Sequence, residues 1–385
     1  MRVKLTLADL SGLPEGSFVR YTPIKMRASQ NPWPIVSFKH VAAVMAETLK
    51  GDWSGLATVR EFEARFKNYI GLPYALGFCN GTSAIYSALF ALDLKPGEEV
   101  LVPAATFWAS VVPILQFGAL PVFVDCEDRQ YGLDPEEIEK KITDQTRGIV
   151  VVHLWGTPSR IKEIKKIADK YGLWVLEDAS HAHGAKVGDE RVGRFGDISV
   201  FSFQTSKLCP AGEGGMALSA HLSLIEKMVL YGHYERIPEL KTEFHGLAAT
   251  GLGYKFRMSA LSAVLGLVSL SQLDHWNRKR KERYEKLTSL LDPKKNGFLL
   301  SPAGTERVYY EYHLRYASAA PDQIDARIEA LNRAGISAQR TRYPLLHQQP
   351  LFTSTLWREI AERKGARVPQ DFNYSGSLPV TEKMA

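Results

Sequence analysis

Short apolar runs alternate with helical segments through the middle of the chain, from about residue 73 to residue 219. The apolar runs lie at residues 99–103, 120–124, 148–153, 173–177, 198–202 and 215–218. Because successive positions in these runs are apolar, we expect strands that are buried on both faces. Segments with helical spacing lie between them, at residues 83–92, 108–116, 134–141 and 158–171. The alternation predicts an α/β fold with a doubly wound, mostly parallel sheet.

A long helical pattern at residues 258–291 follows this region and leads the chain away from the predicted sheet. The remaining residues show mixed helical and strand patterns, with an amphipathic helix at residues 322–334. We therefore predict a large α/β domain over residues 51–275 and a long helix with a smaller α+β domain over residues 276–385. Residues 1–50 form an N-terminal segment that contributes to the smaller domain.

The composition is that of an ordinary globular protein, with 385 residues, a formal net charge of +6, 45% hydrophobic residues and 23% charged residues. The three cysteines, Cys79, Cys126 and Cys209, are widely spaced, which argues against a disulfide framework and a cysteine-based zinc site. The first residues lack the apolar core of a signal peptide. We therefore expect a reducing, cytoplasmic location.

Two stretches suggest a membrane or a nucleic acid as a partner. Residues 100–124 carry no charge and are long enough to span a bilayer, but three prolines interrupt them, so we interpret them as buried core. Residues 278–286 are dense in lysine and arginine, but the acidic residues among them favour the solvated face of an amphipathic helix. We predict neither a membrane nor a nucleic-acid partner.

The first candidate for chemistry is a small polar turn, Asn80-Gly81-Thr82-Ser83, which opens a predicted helix. The N–H groups at a helix N-terminus bind phosphate, although an ordinary helix cap explains the same residues. The chain contains neither a Walker loop nor a GxGxxG motif. This argues against P-loop nucleotidases and nicotinamide-dependent dehydrogenases.

A carboxylate and a lysine follow two of the other apolar runs. Asp178 comes at the end of the run 173–177, where open α/β sheets bind ligands; a helix cap or a surface turn is the alternative interpretation. Lys207 lies between the run 198–202 and a glycine-rich turn, where partial burial favours imine formation with a carbonyl group. His181 and His183 suggest a metal, but no third ligand is near them in the sequence, so we predict none.

Together these features match the chemistry of pyridoxal 5′-phosphate (PLP). A phosphate-binding turn anchors the phosphate, a carboxylate keeps the pyridine nitrogen protonated, and a lysine forms an imine with the aldehyde. Each feature alone is common in globular proteins. The three in this order make PLP the predicted cofactor.

Further stretches resemble those of a known family. They are Gly51-Asp-Trp-Ser-Gly55, Pro103-Ala-Ala-Thr-Phe-Trp108, Glu177-Asp-Ala-Ser-His-Ala-His-Gly184, Gly196-Asp-Ile-Ser-Val-Phe-Ser-Phe-Gln-Thr-Ser-Lys207, Gly212-Glu-Gly-Gly215 and Gly253-Tyr-Lys-Phe-Arg-Met258. With the turn at Asn80, they resemble the motifs of the DegT/DnrJ/EryC1/StrS sugar aminotransferases. That family belongs to the fold-type I PLP-dependent transferases, and the resemblance covers nearly all of the chain.

The resemblance implies a role for each candidate at the cofactor. Lys207 forms the imine with PLP and Asp178 pairs with its ring nitrogen, which makes these two the predicted catalytic residues. The residues implied in phosphate binding are Gly81, Thr82, Ser83 and Ser202. Phe107 stacks on the ring, unless the neighbouring Trp108 takes that position, and His181 lies near the 3′-oxygen.

The resemblance also implies a homodimer with shared active sites. Lys255 lies where relatives, often with an asparagine, reach the cofactor phosphate of the partner subunit. The predicted substrate residues are Trp53, Tyr343 and His347, and packing is an equal explanation for the last two. Relatives continue for some tens of residues beyond the motif at residues 378–383, so we expect the sequence to end short of the family's C-terminus.

The predicted reaction is transfer of an amino group from L-glutamine or L-glutamate to a keto-sugar or keto-cyclitol, in amino-sugar or aminocyclitol biosynthesis. The acceptor is either scyllo-inosose-like or a nucleotide-linked keto-sugar. The alternatives are an enzyme similar to aminohydroxybenzoate synthases and a PLP-binding homologue with a non-catalytic or regulatory role. Sugar dehydratases of this fold replace the lysine with histidine, so Lys207 argues against that activity.

Overall fold

The computed structural model describes residues 34, 36–53, 55–128, 130–241, 243–291, 297–298, 300–315, 321–340 and 343–384. Most of the predicted N-terminal segment, residues 1–33, lies outside the described residues. The strands are β1 (Tyr74–Phe78), β2 (Glu99–Pro103), β3 (Leu120–Val124), β4 (Thr146–Val152), β5 (Trp174–Asp178), β6 (Lys186–Val187), β7 (Glu190–Arg191), β8 (Ile198–Ser202), β9 (Gly215–Ser219), β10 (Gly297–Phe298), β11 (Thr305–Glu306) and β12 (Leu314–Arg315). The helices are α1 (Phe38–Leu49), α2 (Leu56–Ile70), α3 (Gly81–Ala91), α4 (Val112–Gln116), α5 (Pro135–Lys141), α6 (Ile161–Tyr171), α7 (Leu222–Gly232), α8 (Ala260–Leu290), α9 (Pro321–Arg333), α10 (Pro350–Thr353), α11 (Leu356–Arg363) and α12 (Pro379–Met384).

A seven-stranded sheet with the order β1-β9-β8-β5-β4-β2-β3 forms the centre of the molecule. Strand β9 is antiparallel to both of its neighbours, and the other neighbouring strands are parallel. This confirms the predicted mostly parallel α/β sheet. Strand β1 lies at one edge of this sheet and was not predicted.

Helices cover both faces of the sheet because both alternating positions in its strands are apolar. On one face, Val100 and Val102 of β2 pack in a cluster with side chains of α3, α4 and α7. On the opposite face, Leu101 of β2 packs with side chains of α5 and α6, while Phe201 of β8 packs with those of α2 and α8. Side chains therefore alternate between two separate cores along each strand.

One predicted helix, at residues 108–116, is divided in two. A short 3-10 turn spans Trp108–Ser110, and α4 begins after Val111, which has non-helical backbone angles. Pro113 lacks an N–H group, and in a continuous helix its ring would collide with the carbonyl group of Ala109. The break turns Ser110 toward the edge of the sheet where the candidate site lies.

The last part of the chain packs against the large sheet domain. Phe352, Trp357 and Leu378 belong to the same apolar cluster as α3 and β2. Asp125, directly after β3, caps α12 by accepting hydrogen bonds from the N–H groups of Val380 (3.0 Å) and Thr381 (2.8 Å). The division into domains at about residue 275 stays a prediction. Among the described residues no helix is long and apolar enough to cross a membrane, and no cluster of metal-ligating side chains occurs.

Candidate active site

The carboxylate of Asp178 lies at the carboxyl end of β5, in the centre of the sheet, and is buried. It is on the same face as Leu176, which packs toward α3. Its Oδ2 accepts a hydrogen bond of 2.7 Å from Ser110 Oγ, and its Oδ1 accepts one of 3.0 Å from the N–H group of Ser180. The side chain is therefore held in one orientation at the edge where parallel α/β sheets bind ligands.

The neighbouring acid, Glu177, points to the opposite face and is also buried. It accepts hydrogen bonds from His153 Nε2 (2.8 Å) and from the N–H groups of Gly193 and Gly196. Burial raises the pKa of Glu177, but these hydrogen bonds outweigh burial and leave the pKa below the usual value for a glutamate. Glu177 thus holds the loop after β7, whereas Asp178 faces the candidate site.

Strand β8, the neighbour of β5 in the sheet, ends at Ser202 on the same face as Asp178 and leads to Lys207. The two strands are paired, with Asp178 opposite Val200. Lys207 follows in a turn in which its N–H group donates to the carbonyl oxygen of Gln204, over 2.8 Å. Its Nζ lies 4.9 Å from the ring centre of Tyr310. The carboxylate and the lysine therefore leave the same edge of adjacent strands.

The N-terminus of α3 approaches Ser202 from the side. Asn80 caps this helix, with its Oδ1 accepting a 2.8 Å hydrogen bond from the N–H group of Ser83. A Cβ placed on Gly81 would lie 3.0 Å from Ser202 Cβ, and one placed on Gly215 would lie 2.3 Å from the carbonyl oxygen of Asn80. Glycine at both positions allows the helix to reach β8 and β9. The remaining N–H groups of the first turn have no acceptor within the helix, so this turn suits a phosphate.

His181 contacts two tyrosine side chains beside this site. Its Nδ1 accepts a hydrogen bond of 3.3 Å from the N–H group of Trp155, so a neutral His181 carries its proton on Nε2. That nitrogen lies 3.3 Å from Tyr343 Oη. The Tyr310 ring stacks on His181 with 4.2 Å between ring centres. Trp155 has a positive φ of 52°, which is unusual for a residue with a side chain and turns its N–H group toward His181.

His183 lies deeper in the molecule and is fully buried among Phe66, Phe201 and Phe203. Burial, together with the positive charge of Lys207, lowers the pKa of His183 to about 3. His183 is therefore neutral at physiological pH.

Phe107 and Trp108 are both half-exposed at the mouth of the site. Their ring centres are 5.0 Å apart, and the Phe107 ring lies 6.0 Å from that of Tyr343. Trp108 lines a cavity of about 540 Å³, together with Thr82 and Ser83. Phe107 thus borders the His181 side of the site and Trp108 the α3 side, and the choice of stacking residue stays a prediction.

Three of the predicted residues have described contacts with residues other than those of the candidate site. Lys255 is exposed and forms a backbone bridge with His233. Trp53 is exposed, and its Nε1 donates to the carbonyl oxygen of Thr48, over 3.0 Å. His347 is buried, with its Nε2 3.0 Å from a carboxylate oxygen of Glu382 in α12. Their roles toward the partner subunit and the substrate stay predictions, and for His347 the observed contacts are those of packing.

The structure adds residues to the site that the sequence interpretation did not select. Ser110 binds Asp178, and Tyr310 covers both His181 and Lys207. A weak signal exists for Ser110, since it is one of few polar residues in the uncharged stretch 100–124. Tyr310 is one of several tyrosines in its segment, and nothing in the local pattern distinguishes it.

The chain is similar in sequence to known aminotransferases. The profile of the DegT/DnrJ/EryC1/StrS aminotransferase family matches residues 38–384. The chain is 33% identical to a protein of Streptomyces kanamyceticus that carries the name L-glutamine:3-amino-2,3-dideoxy-scyllo-inosose aminotransferase, over 84% of this chain and 78% of that protein. It is 36% identical to the UDP-N-acetyl-3-dehydro-alpha-D-glucosamine 3-aminotransferase of Acidithiobacillus ferrooxidans, over 76% of each chain.

A solved structure of an aminotransferase has a similar fold. The crystal structure of DesV from S. venezuelae, in complex with a ketimine intermediate, aligns with a TM-score of 0.74 and 28% identity. The alignment covers 90% of this chain and 86% of DesV. The chain therefore belongs to the DegT/DnrJ/EryC1/StrS aminotransferase family and is a PLP-dependent aminotransferase.

Proposed function

We propose that this enzyme transfers an amino group from L-glutamine or L-glutamate to the ketone of a keto-sugar or keto-cyclitol, in amino-sugar or aminocyclitol biosynthesis. The observation that carries the proposal is the convergence of Asp178, Ser202 and Lys207 with the N-terminus of α3 at one edge of the sheet. A buried carboxylate, an amine and a glycine-lined helix N-terminus are the groups that PLP requires.

The residues present fit PLP. The first turn of α3, with Gly81, Thr82 and Ser83, and the hydroxyl group of Ser202 would hold the phosphate, because hydroxyl and N–H groups are good phosphate donors. Asp178 would hold the ring nitrogen, and Lys207 would bind the aldehyde carbon. When bound, PLP supplies an electron-withdrawing ring that stabilises negative charge at the α-carbon of the amino donor.

The side chains of this site have distinct tasks in the proposed reaction. The ε-amine of Lys207 would take the proton from the α-carbon of the amino donor and pass it to the cofactor. For the acceptor it would carry a proton in the reverse direction, from the cofactor to the former carbonyl carbon. The carboxylate of Asp178 would stabilise a positive charge on the ring nitrogen. Without such a partner, a positive charge in this buried site would be costly. The rings of the half-exposed Phe107 and the partly buried Tyr343 border the opening and would limit access of water.

The choice of substrates rests on the relatives. The S. kanamyceticus protein, at 33% identity, has L-glutamine and a scyllo-inosose derivative in its name, whereas the A. ferrooxidans protein, at 36% identity, has a nucleotide-linked sugar in its name. We therefore keep both acceptor classes in the proposal and favour L-glutamine and L-glutamate as donors to test first.

We also propose that the enzyme is a homodimer in which the partner subunit's Lys255 approaches the cofactor phosphate. Helix α1 supports the dimer, because it exposes an apolar stripe of Phe38 (83% exposed), Val41, Met45 and Leu49 (84% exposed). These positions lie on one side of the helix. An apolar stripe of this kind is typical of a surface that another protein covers.

The proposed reaction is tested by visible absorption of the purified protein after addition of PLP. We expect a band from lysine-bound cofactor in the wild type and in Lys141→Ala, a change on the exposed face of α5, and no such band in Lys207→Ala. Addition of L-glutamine or L-glutamate should remove the band as the cofactor accepts the amino group. A stable band with every amino donor would support a non-catalytic role, and absence of the band in the wild type would contradict the proposal.

A further inference from the structure

The side chain of Ser110 makes the closest described contact to the carboxylate of Asp178. Its Oγ lies 2.7 Å from Asp178 Oδ2, and the two residues are 2% and 6% exposed. The residues are 68 positions apart in the chain. A hydrogen bond between a hydroxyl group and a buried carboxylate is short and strong.

The direction of this hydrogen bond is determined by the carboxylate. The Ser110 hydroxyl group donates this hydrogen bond, and Asp178 Oδ2 accepts it. Thr106 Oγ1 lies 3.3 Å from Ser110 Oγ and is also buried. Because the Ser110 proton is directed to Asp178, Thr106 is the donor in the second contact. The result is a chain of hydrogen bonds from Thr106 through Ser110 to Asp178.

Ser110 and the backbone together define the plane of the carboxylate. Ser110 binds Oδ2, and the N–H group of Ser180 binds Oδ1 over 3.0 Å. With one donor on each oxygen, rotation of the carboxylate breaks at least one hydrogen bond. Among the contacts of the described residues, removal of Ser110 leaves the hydrogen bond from Ser180, in the loop directly after β5.

Ser110 also fastens the segment that carries the aromatic residues. Its N–H group donates to the carbonyl oxygen of Phe107 over 3.1 Å, which closes the 3-10 turn Trp108–Ser110. The turn is therefore tied to β5 through a side chain at its last residue. A shift of this turn moves Phe107 and Asp178 relative to each other.

We propose that Ser110 is a positioning residue, which orients Asp178 toward the ring nitrogen of PLP. This inference rests on the proposed function, because it concerns how Asp178 meets the cofactor. Ser110 contacts Asp178 through its side chain. It acts through Asp178.

The test compares PLP with an analogue in which carbon replaces the ring nitrogen. Dissociation constants for both ligands are measured with wild type, Ser110→Ala, Ser110→Thr and Ser199→Ala. Ser199 is a matched control, since it is buried on the opposite face of β8 and its Oγ has no hydrogen-bond partner within the described part of the chain. The melting temperature of each cofactor-free protein is measured in parallel.

We expect Ser110→Ala to weaken PLP binding by about tenfold, the value of one hydrogen bond to a charged group. The analogue should bind Ser110→Ala and the wild type equally, because it makes no contact with Asp178 through a ring nitrogen. Ser110→Thr should restore PLP binding, and Ser199→Ala should not change it.

Two results would overturn the inference. Ser110→Ala could bind PLP as the wild type does, or it could lose affinity for PLP and for the analogue by the same factor, which indicates a structural effect only. A wild type that binds neither ligand would instead contradict the proposed function. The two failures are therefore distinguishable.

Discussion

A methyl group at Gly81 tests the proposed phosphate cradle, because this residue opens α3 directly against β8. A Cβ built on Gly81 lies 3.0 Å from Ser202 Cβ and 3.6 Å from Ser202 Oγ. Carbon atoms in favourable contact are about 3.5–4.0 Å apart. Gly81→Ala therefore forces the start of α3 and the end of β8 to separate by a few tenths of an ångström.

This separation should weaken PLP binding more than it lowers the stability of the fold. Overpacking by one methyl group costs about 1–3 kcal/mol, and alanine gains about 1 kcal/mol over glycine in a helix. The free energy of unfolding should therefore fall by at most about 2 kcal/mol. The hydroxyl group of Ser202 and the N–H groups of α3 must contact the same phosphate, so their separation should weaken PLP binding by about tenfold.

The assay is a titration of cofactor-free protein with PLP, followed by protein fluorescence, with urea unfolding of the same samples. Gly246→Ala is the matched control, since no atom lies within 4 Å of a Cβ built at this exposed position. We expect the control to match the wild type in both measurements. Unchanged PLP affinity in Gly81→Ala, with unfolding as expected, would refute the cradle.

Three further predictions concern buried polar groups. Asp125→Ala removes the cap of α12 and should lower the free energy of unfolding by about 2 kcal/mol in urea; an unchanged value contradicts the cap. Glu63→Gln removes the negative charge beside the Arg236 guanidinium, which lies 3.0 Å from the Glu63 carboxylate in the wild type. This substitution should lower the free energy of unfolding by about 3 kcal/mol; an unchanged value contradicts the ion pair. Burial lowers the pKa of His233 from 6.5 to about 3, so in this range the unfolded chain binds a proton that the folded chain does not. The free energy of unfolding should be highest above pH 6.5 and fall toward pH 3, by up to about 1.4 kcal/mol per pH unit for this histidine; an equal slope in His233→Asn contradicts this assignment.

Much of the sheet follows from local sequence. The runs at residues 99–103, 120–124 and 198–202 are strands with those bounds, because buried parallel strands must be apolar on both faces. Strand β1, Tyr-Ala-Leu-Gly-Phe, was missed because alanine and glycine are weak strand formers. It is a strand through its pairing with β9, which lies more than a hundred residues later. The antiparallel direction of β9 likewise depends on tertiary structure.

The sequence was enough to select those candidate residues that lie at the end of a strand, shortly after one, or at the start of a helix. Asp178 and Lys207 each follow a parallel strand, and the ends of such strands meet at one edge. The partners of these residues were not predictable, because Ser110 reaches Asp178 only through the fold. For His347, the sequence did not indicate that α12 would bring Glu382 within 3.0 Å.

The central claim, that Lys207 carries the cofactor, is tested most directly by chemical trapping. The protein is incubated with PLP, reduced with borohydride, digested and examined by mass spectrometry for a phosphopyridoxyl group on lysine. The account predicts that Lys207 carries the modification. In Lys207→Ala we expect no modification at this position and little modification of other lysines. Modification at another lysine, with Lys207 unmodified, would contradict the account.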